Sequence, residues 1–401
     1  MTATAFGTND PNTQKIWSEK LFRWMMANCA LTQGGLVGDG DNFPIQIDTS
    51  LTAKKGDKMT FRIRAPLTGE GVGDGGRVLS AAEALSILNF TLEVHERANC
   101  VTSDGAISEQ RTAVNIREEG KAALGDWYAR RLEEDAYAAL AGLYNSPVAL
   151  TVNEKAPSAA RVWRGGQKAD GTICAAGPFA SDALLSAQTA TDVLMGTGII
   201  SLIRRKMSLG TAAYPAIRPI MVKGKPYYVC LLHTWHVKAI KNETGDNGWK
   251  QIQAAANIRG EENPLFSGAL GLWDGVILHE YNWPQMVRTG AGGSLPAEGF
   301  TLAADRATTT DPVANGKSVA RALFLGAQAG VIGWAMKPKW TESLEDVKRL
   351  PAMAYTGIYG VSKTRFSTYT SPSPHDSSVG GTNTAGEDFG VVAVDTCVVP
   401  D

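Results

Sequence analysis

An α+β fold is what this sequence predicts, and three features predict it. Two half-exposed strand patterns flank a polar, glycine-rich connection between residues 43 and 98. A helical stretch of unusual length follows, from Glu109 to Tyr144. Mixed helix and strand patterns then run on to a valine-rich end, from Val391 to Val398. At 401 residues the chain is longer than one core usually grows, so more than one lobe is expected.

Residues 12–30 read as a helix, because Ile16, Leu21, Phe22, Met25 and Met26 recur at near-helical spacing after Asp10-Pro11. Gly34, Gly35, Gly38 and Gly40 then break the chain. From Phe43 the period changes to two. Ile45 and Ile47 alternate with polar neighbours, Lys55-Gly56-Asp57 marks a turn, and Met59, Phe61, Ile63 and Ala65 oppose Thr60, Arg62 and Arg64. Leu88, Phe90, Leu92 and Val94 alternate in the same way with Asn89, Thr91, Glu93 and His95. Two such strands around a long connection predict an extended hairpin reaching away from the body.

In the long helix, Leu124, Tyr128, Leu132, Ala136, Leu140 and Leu143 form one apolar stripe. Arg130, Arg131, Glu133, Glu134 and Asp135 read as its charged exterior. At 1.5 Å per residue such a helix would be roughly 50 Å long, the length of a structural strut. After a polar linker at 153–160, a helix is expected over Thr191–Met207, a strand over Tyr227–Ile240 and a short helix over Val319–Ala329. The low-complexity stretch Ser371–Asp388 cannot bury much and is expected to be an exposed loop.

Composition narrows the function. Lys plus Arg total 39 against 40 for Asp plus Glu, a net charge of -1, so the chain lacks the basic excess of a protein that grips nucleic acid by itself. The five cysteines are scattered with no C-x-x-C pair, as in reduced, mostly buried thiols. The polar start MTATAFGTNDPN has no signal-peptide core, and the uncharged run Ala322–Met336 is shorter than the roughly 20 residues a bilayer requires. The expectation is a soluble protein made in the cytoplasm.

Three chemical readings compete with a structural one. Gly71, Gly73 and Gly76 spell G-x-G-x-x-G, the spacing of a dinucleotide cradle, which would make the chain a nucleotide-binding oxidoreductase. That motif needs a buried parallel strand before it, but the preceding strand carries Arg62 and Arg64 and ends at Pro66; Glu70 and Asp74 would repel a pyrophosphate. His233 and His236 in LLHTWH, with His279-Glu280 downstream, raise a metal site, but a strand there would point the two histidines to opposite sides. No G-x-S-x-G elbow is present. No catalytic residue, cofactor or metal is expected.

Five blocks carry a more specific signal: IWSEKLFRW (16–24), KKGDKMTFRIRAPLTGEGV (54–72), ISEQRTAVNIREEGKAALGDWYARRLEEDAY (107–137), RGEENPLFSGALGLWDGVILHE (259–280) and ARALFLGAQAGVIGW (320–334). In this order they resemble the N-four-like family of tailed-phage major capsid proteins, over nearly the whole chain. The resemblance implies the Hong Kong ninety-seven capsid fold. Its parts would be an N-terminal arm (1–42), an extended loop hairpin (43–98), a peripheral domain with a spine helix (99–190), an axial domain (191–350) and a C-terminal segment returning to the sheet (351–401). The glycine loop is then the tip of a hairpin, free to settle on neighbours at different curvatures.

The resemblance also implies a virion protein assembled in the host cytoplasm, building an icosahedral head around double-stranded DNA. Its partners would be itself as hexamers and pentamers, a separate scaffolding protein, a portal protein and a decoration protein near Ser371–Asp388, with DNA touched only through weak local contacts and no membrane. A separate scaffold is expected because the family-like region begins by Ile16. The candidate inter-subunit residues are Phe61, Arg62, Ile63 and Arg64 on the hairpin, facing Glu133, Glu134 and Asp135 on the spine helix of the next copy.

Overall fold

The structure is a computed structural model. It describes residues 22, 25–26, 28–53, 56–64, 72–74, 87–103, 110–111, 116–142, 158, 161–180, 184–185, 187–209, 216–244, 270–283, 287–289, 318–345, 350–366 and 387–398. Two sheets organise them. The first has five strands, in the order Val37–Gly38, Ile45–Asp48, Gly330–Glu345, Leu350–Lys363 and His95–Thr102. The first three strands are mutually parallel; the last three alternate in direction. The second sheet has eight strands. Its path runs Val162–Arg164, Val391–Val398, Ser318–Leu325, Lys225–His233, Val276–Tyr281 and Gly271–Trp273, with Val287–Thr289 and Ile220–Val222 paired beside it.

The long helix is described over Ile116–Ala141, 26 residues and about 39 Å. Leu124, Tyr128, Leu132, Ala136 and Leu140 are all buried, as their spacing predicts. They meet one face of the five-stranded sheet, where Trp334, Tyr355 and Tyr359 gather around Tyr128 with ring centroids 5.1 to 6.5 Å apart. Trp334 also receives the edge of Phe22 from the N-terminal segment. A Cβ on Gly357 would collide with the Tyr128 hydroxyl, so only glycine lets the helix come this close.

The other face of that sheet carries a hairpin, and its described strands lie against the sheet rather than reaching away from the body; Ile45–Asp48 and His95–Thr102, at the two ends of the expected 43–98 loop, are strands of the sheet itself. Lys58–Arg64 pairs antiparallel with Ile87–Glu93, Phe61 lying opposite Phe90, and Lys58 bridges Glu93 at 2.9 Å. Met59, Phe90 and Leu92 bury against Val331, with Phe61, Ala335 and Ile358 at the margin. Gly333 and Gly360 are cross-strand partners and form a trough beneath the hairpin. A Cβ on Gly360 would overlap the Glu93 carbonyl, and one on Gly333 would overlap Met59 and Leu92. Helix, sheet and hairpin therefore form three layers.

Beyond the hairpin, no other described element covers this part of the second face. Its rows, read across three strands, are Lys339–Thr356–Ala98, Thr341–Ala354–Cys100 and Ser343–Ala352–Thr102. All nine are exposed or half-exposed, and all but Lys339 are small.

Three local readings are corrected. Val319–Ala329 is not a helix: Ser318–Leu325 is a strand inserted between Val391–Val398 and Lys225–His233. Its alanine-rich composition favours helix locally, but pairing on both edges overrides propensity. The strand expected over Tyr227–Ile240 stops at His233, and Thr234–Lys241 is a helix. The boundary drawn at residue 350 separates two strands that pair along most of their length, Gly330–Glu345 and Leu350–Lys363. The helix expected at Thr191–Met207 is Thr197–Leu209, its first turn fastened by Glu243, which accepts from the Thr197 amide at 3.1 Å and hydroxyl at 2.6 Å. The last strand is Val391–Val398, as read. Of the low-complexity stretch, positions 371–386 lie outside the described residues.

The trough yields the first prediction. Gly360→Ala should lift the hairpin from the sheet and destabilise the chain by about 1–3 kcal/mol, the usual range for overpacking. Gly73→Ala, where a Cβ meets nothing within 4 Å, should stay within about 0.5 kcal/mol. Urea unfolding of both variants checks this, and equal midpoints would refute the trough.

Candidate assembly surface and its buried supports

The candidate contact residues fall into two groups with different surroundings. On the hairpin, Phe61 is half-buried, its ring 6.0 Å from that of Phe90 and packed toward its own sheet. The backbones of Arg62, Ile63 and Arg64 pair with Asn89, Leu88 and Ile87. Their side chains lie outside the described residues.

The helix carboxylates are not a charged exterior. Asp135 is fully buried and Glu134 nearly so. Asp135 accepts from the Tyr359 hydroxyl at 2.7 Å and from Arg97 at 3.1 Å, and Arg131 approaches it at 3.3 Å. Arg131 also holds Glu134 at 3.1 Å. Glu133 accepts from the backbone of Ala30 and from the Trp283 indole at 3.4 Å, so it docks the N-terminal segment. Burial, opposed by these donors, raises its pKa; burial and then the nearby Glu133 push the Cys29 thiol up to about 11. The exterior reading failed because three successive acids on a helix must span a wide arc, and one edge of that arc here meets the sheet.

Two further buried clusters went unread in the sequence. Arg321 binds Asp395 through both nitrogens of its fork at 2.6 Å each, and the two residues sit directly opposite across adjacent strands. Arg321 also donates to the Ala141 carbonyl at the end of the long helix (2.9 Å), while Tyr137 donates back to the Arg321 carbonyl (2.9 Å). This joins the helix to the eight-stranded sheet. In the second cluster, Lys363 and Arg365 hold Asp388 at 3.0 and 3.2 Å, and the Ser158 amide donates to the same carboxylate at 3.0 Å. Burial pulls the Lys363 pKa down to about 8 against the pull of Asp388. The signal for the first cluster is a single charge inside an apolar run, Asp395 in VVAVDTCVV and Arg321 in SVARALFL, which marks a buried and paired charge; Lys363 and Asp388, in SKTRF and GEDFG, carry no such mark.

The dinucleotide and metal readings each presuppose a local geometry. The strand before the glycine stretch pairs antiparallel in a two-stranded hairpin, not in the parallel sheet a dinucleotide cradle requires. His233 ends a strand and His236 sits on the following helix, correcting the expectation that both lie on one strand. Among the described residues, no three His, Cys, Asp or Glu side chains gather as a metal site would need. No helix there is long and apolar enough to cross a membrane.

Breaking the Arg321 pair should be costly. Arg321→Met leaves Asp395 buried beside Arg164 at 3.8 Å and should destabilise by about 3–5 kcal/mol, whereas Arg321→Met with Asp395→Leu should recover most of that loss. Chemical denaturation of the unassembled chain reads both, and additive losses would contradict the pairing.

Comparison with known proteins supplies the context for these supports. The phage capsid protein family matches residues 5–400. A major capsid protein of Pseudomonas phage KPP25 is 24% identical over 409 residues, covering 96% of this chain and 95% of that one. Among solved structures, the capsid of Ralstonia phage GP4 superposes with a TM-score of 0.70 at 24% identity, covering 100% of this chain and 99% of that chain. The cyanophage Pam1 capsid gives a TM-score of 0.61 at 19% identity, covering 91% and 92%. The fold is therefore that of phage capsids, as the resemblance implied. With a match spanning all but its extreme ends, the chain belongs to the phage capsid protein family.

Proposed function

We propose that this chain is the major capsid protein of a tailed phage, assembling as hexamers and pentamers into the icosahedral head that encloses double-stranded DNA. The family match across residues 5–400 carries this reading. Within it, the long helix and five-stranded sheet are the peripheral lobe, the eight-stranded sheet is the core of the axial lobe, and Lys58–Glu93 is the extended loop. A separate scaffolding protein guides assembly, a portal protein occupies one vertex, and a decoration protein meets the polar 371–386 segment. The net charge of -1 suits a wall that packaged DNA touches only weakly. Individual subunit contacts can be weak, because closure of the shell multiplies them.

The test is direct. Full-length protein expressed with its scaffold should sediment as large particles and show polyhedra by negative-stain microscopy. A chain that stays monomeric there, or that forms only a minor component of authentic virions, would overturn the assignment.

The hairpin contact is proposed in revised form. Arg62 and Arg64 meet acids of an adjacent copy, but Glu134 and Asp135 serve their own chain, and Glu133 holds the N-terminal segment. Glu118 and Glu119, exposed in the first turn of the long helix, are the acids that remain available there. Each such pair contributes only about 0–1 kcal/mol, but it recurs around every capsomer. Arg62→Glu with Arg64→Glu should impair assembly, and Glu118→Lys with Glu119→Lys should partly restore it. Normal assembly of the loop variant at low salt, where surface charge is least screened, would rule the pairing out.

A further inference from the structure

The histidines of LLHTWH gather no metal-site partners among the described residues, yet their geometry is specific. His233 is the N-cap of helix Thr234–Lys241. Its Nδ1 accepts from the Trp235 amide at 3.2 Å, and its Nε2 lies 3.2 Å from Oδ1 of Asn282. His236, three residues on, accepts from the His233 amide through its own Nδ1 at 3.3 Å. This is a reciprocal capping box, normally built from Ser or Thr and Glu or Gln, made here from two imidazoles. Both rings must be neutral and carry their proton on Nε2, because each Nδ1 lone pair is occupied by a backbone N–H.

We propose that this pair is a proton-sensitive cap: neutral imidazoles close the first turn of the helix, and protonation of either Nδ1 releases it. A second proton would turn an acceptor into a donor facing a donor, which leaves a first-turn amide unsatisfied and brings a positive charge to the positive end of the helix.

The surroundings oppose that proton. The helix packs against strands Lys225–His233, Val276–Tyr281 and Val391–Val398. The first contributes Cys230, whose thiol burial keeps protonated. The second contributes the buried His279 and the exposed Glu280. The third contributes Asp395, already engaged by Arg321. The helix adds Lys238 and Lys241 in its last turn. Burial and the neighbouring His233 outweigh the Ala320 backbone and then Asp395, and lower the His236 pKa to about 3; burial against the Asn282 contact lowers that of His233 to about 4. Both lie below the ordinary value of 6.5, so the opened turn binds protons that the closed turn refuses. The cap is therefore intact above about pH 6.5 and is lost progressively as pH falls toward about 4.

Hydrogen exchange on the full chain tests this. After correction for intrinsic rates, the His233 and Trp235 amides should lose protection by roughly tenfold per pH unit below about 6.5 for each histidine released, about 100-fold at about pH 4.5 for one. The amide of Leu231, in the middle of the sheet, should hold. His233→Asn with His236→Gln keeps acceptors that do not titrate and should abolish the pH dependence. Unchanged protection down to that acid limit, or loss in step with Leu231, would overturn the proposal. Should the double variant not fold, imidazole nitrogen shifts of the wild-type chain at neutral pH decide: unprotonated Nδ1 on both rings supports the cap, and a proton on either Nδ1 there refutes it.

Discussion

The long helix ends on a carbonyl that Arg321 claims, and that contact holds two sheets to one axis. Arg321 comes from the centre of the eight-stranded sheet and is itself held by Asp395 on the adjacent strand. Earlier along the same helix, Asp135 ties it to Arg97 and Tyr359 of the five-stranded sheet. Each charge is buried, so neither pair can be loosened without leaving an unsatisfied ion in a medium that penalises it heavily. Apolar packing of Tyr128, Leu132 and Leu140 brings the layers together but has little directional demand. The ion pairs supply the direction.

The five-stranded sheet solves a different problem, because its two faces must accept unlike partners. Toward the helix it presents Trp334, Tyr355 and Tyr359, large rings that fill the space beneath it. Toward the hairpin it presents Gly333 and Gly360, where backbone approaches backbone. Alternation of side chains along each strand lets one sequence carry both specifications without compromise. The two glycines face each other across the pair Gly330–Glu345 and Leu350–Lys363, so the trough exists only in this register.

Much of this was legible beforehand. Alternation in MTFRIR and LNFTLEV identified the hairpin strands, and the stripe from Leu124 to Leu140 identified the helix and its buried face. What periodicity does not carry is pairing at long range. Ser318–Leu325 is apolar and alanine-rich, and its strand state depends on two neighbours far off in sequence, one upstream and one downstream. Asp135 lies in a run of charges that looks solvated, and only the third dimension places Arg97 and Tyr359 beside it. The helix at Thr234 was hidden for a chemical reason: histidine is not among the usual N-cap residues, so LLHTWH carries no recognisable start signal. For the candidate contact residues Arg62 and Arg64 the sequence carries no mark of what they would meet, because pattern within one chain encodes that chain's own packing.

The open rows of Ala, Thr, Ser and Cys on the five-stranded sheet have a geometric consequence. Interdigitating side chains act as gear teeth, locking two bodies at one angle as well as one distance. A nearly smooth β-surface has few teeth. A body resting on such a surface would keep its spacing while turning with little change in contact.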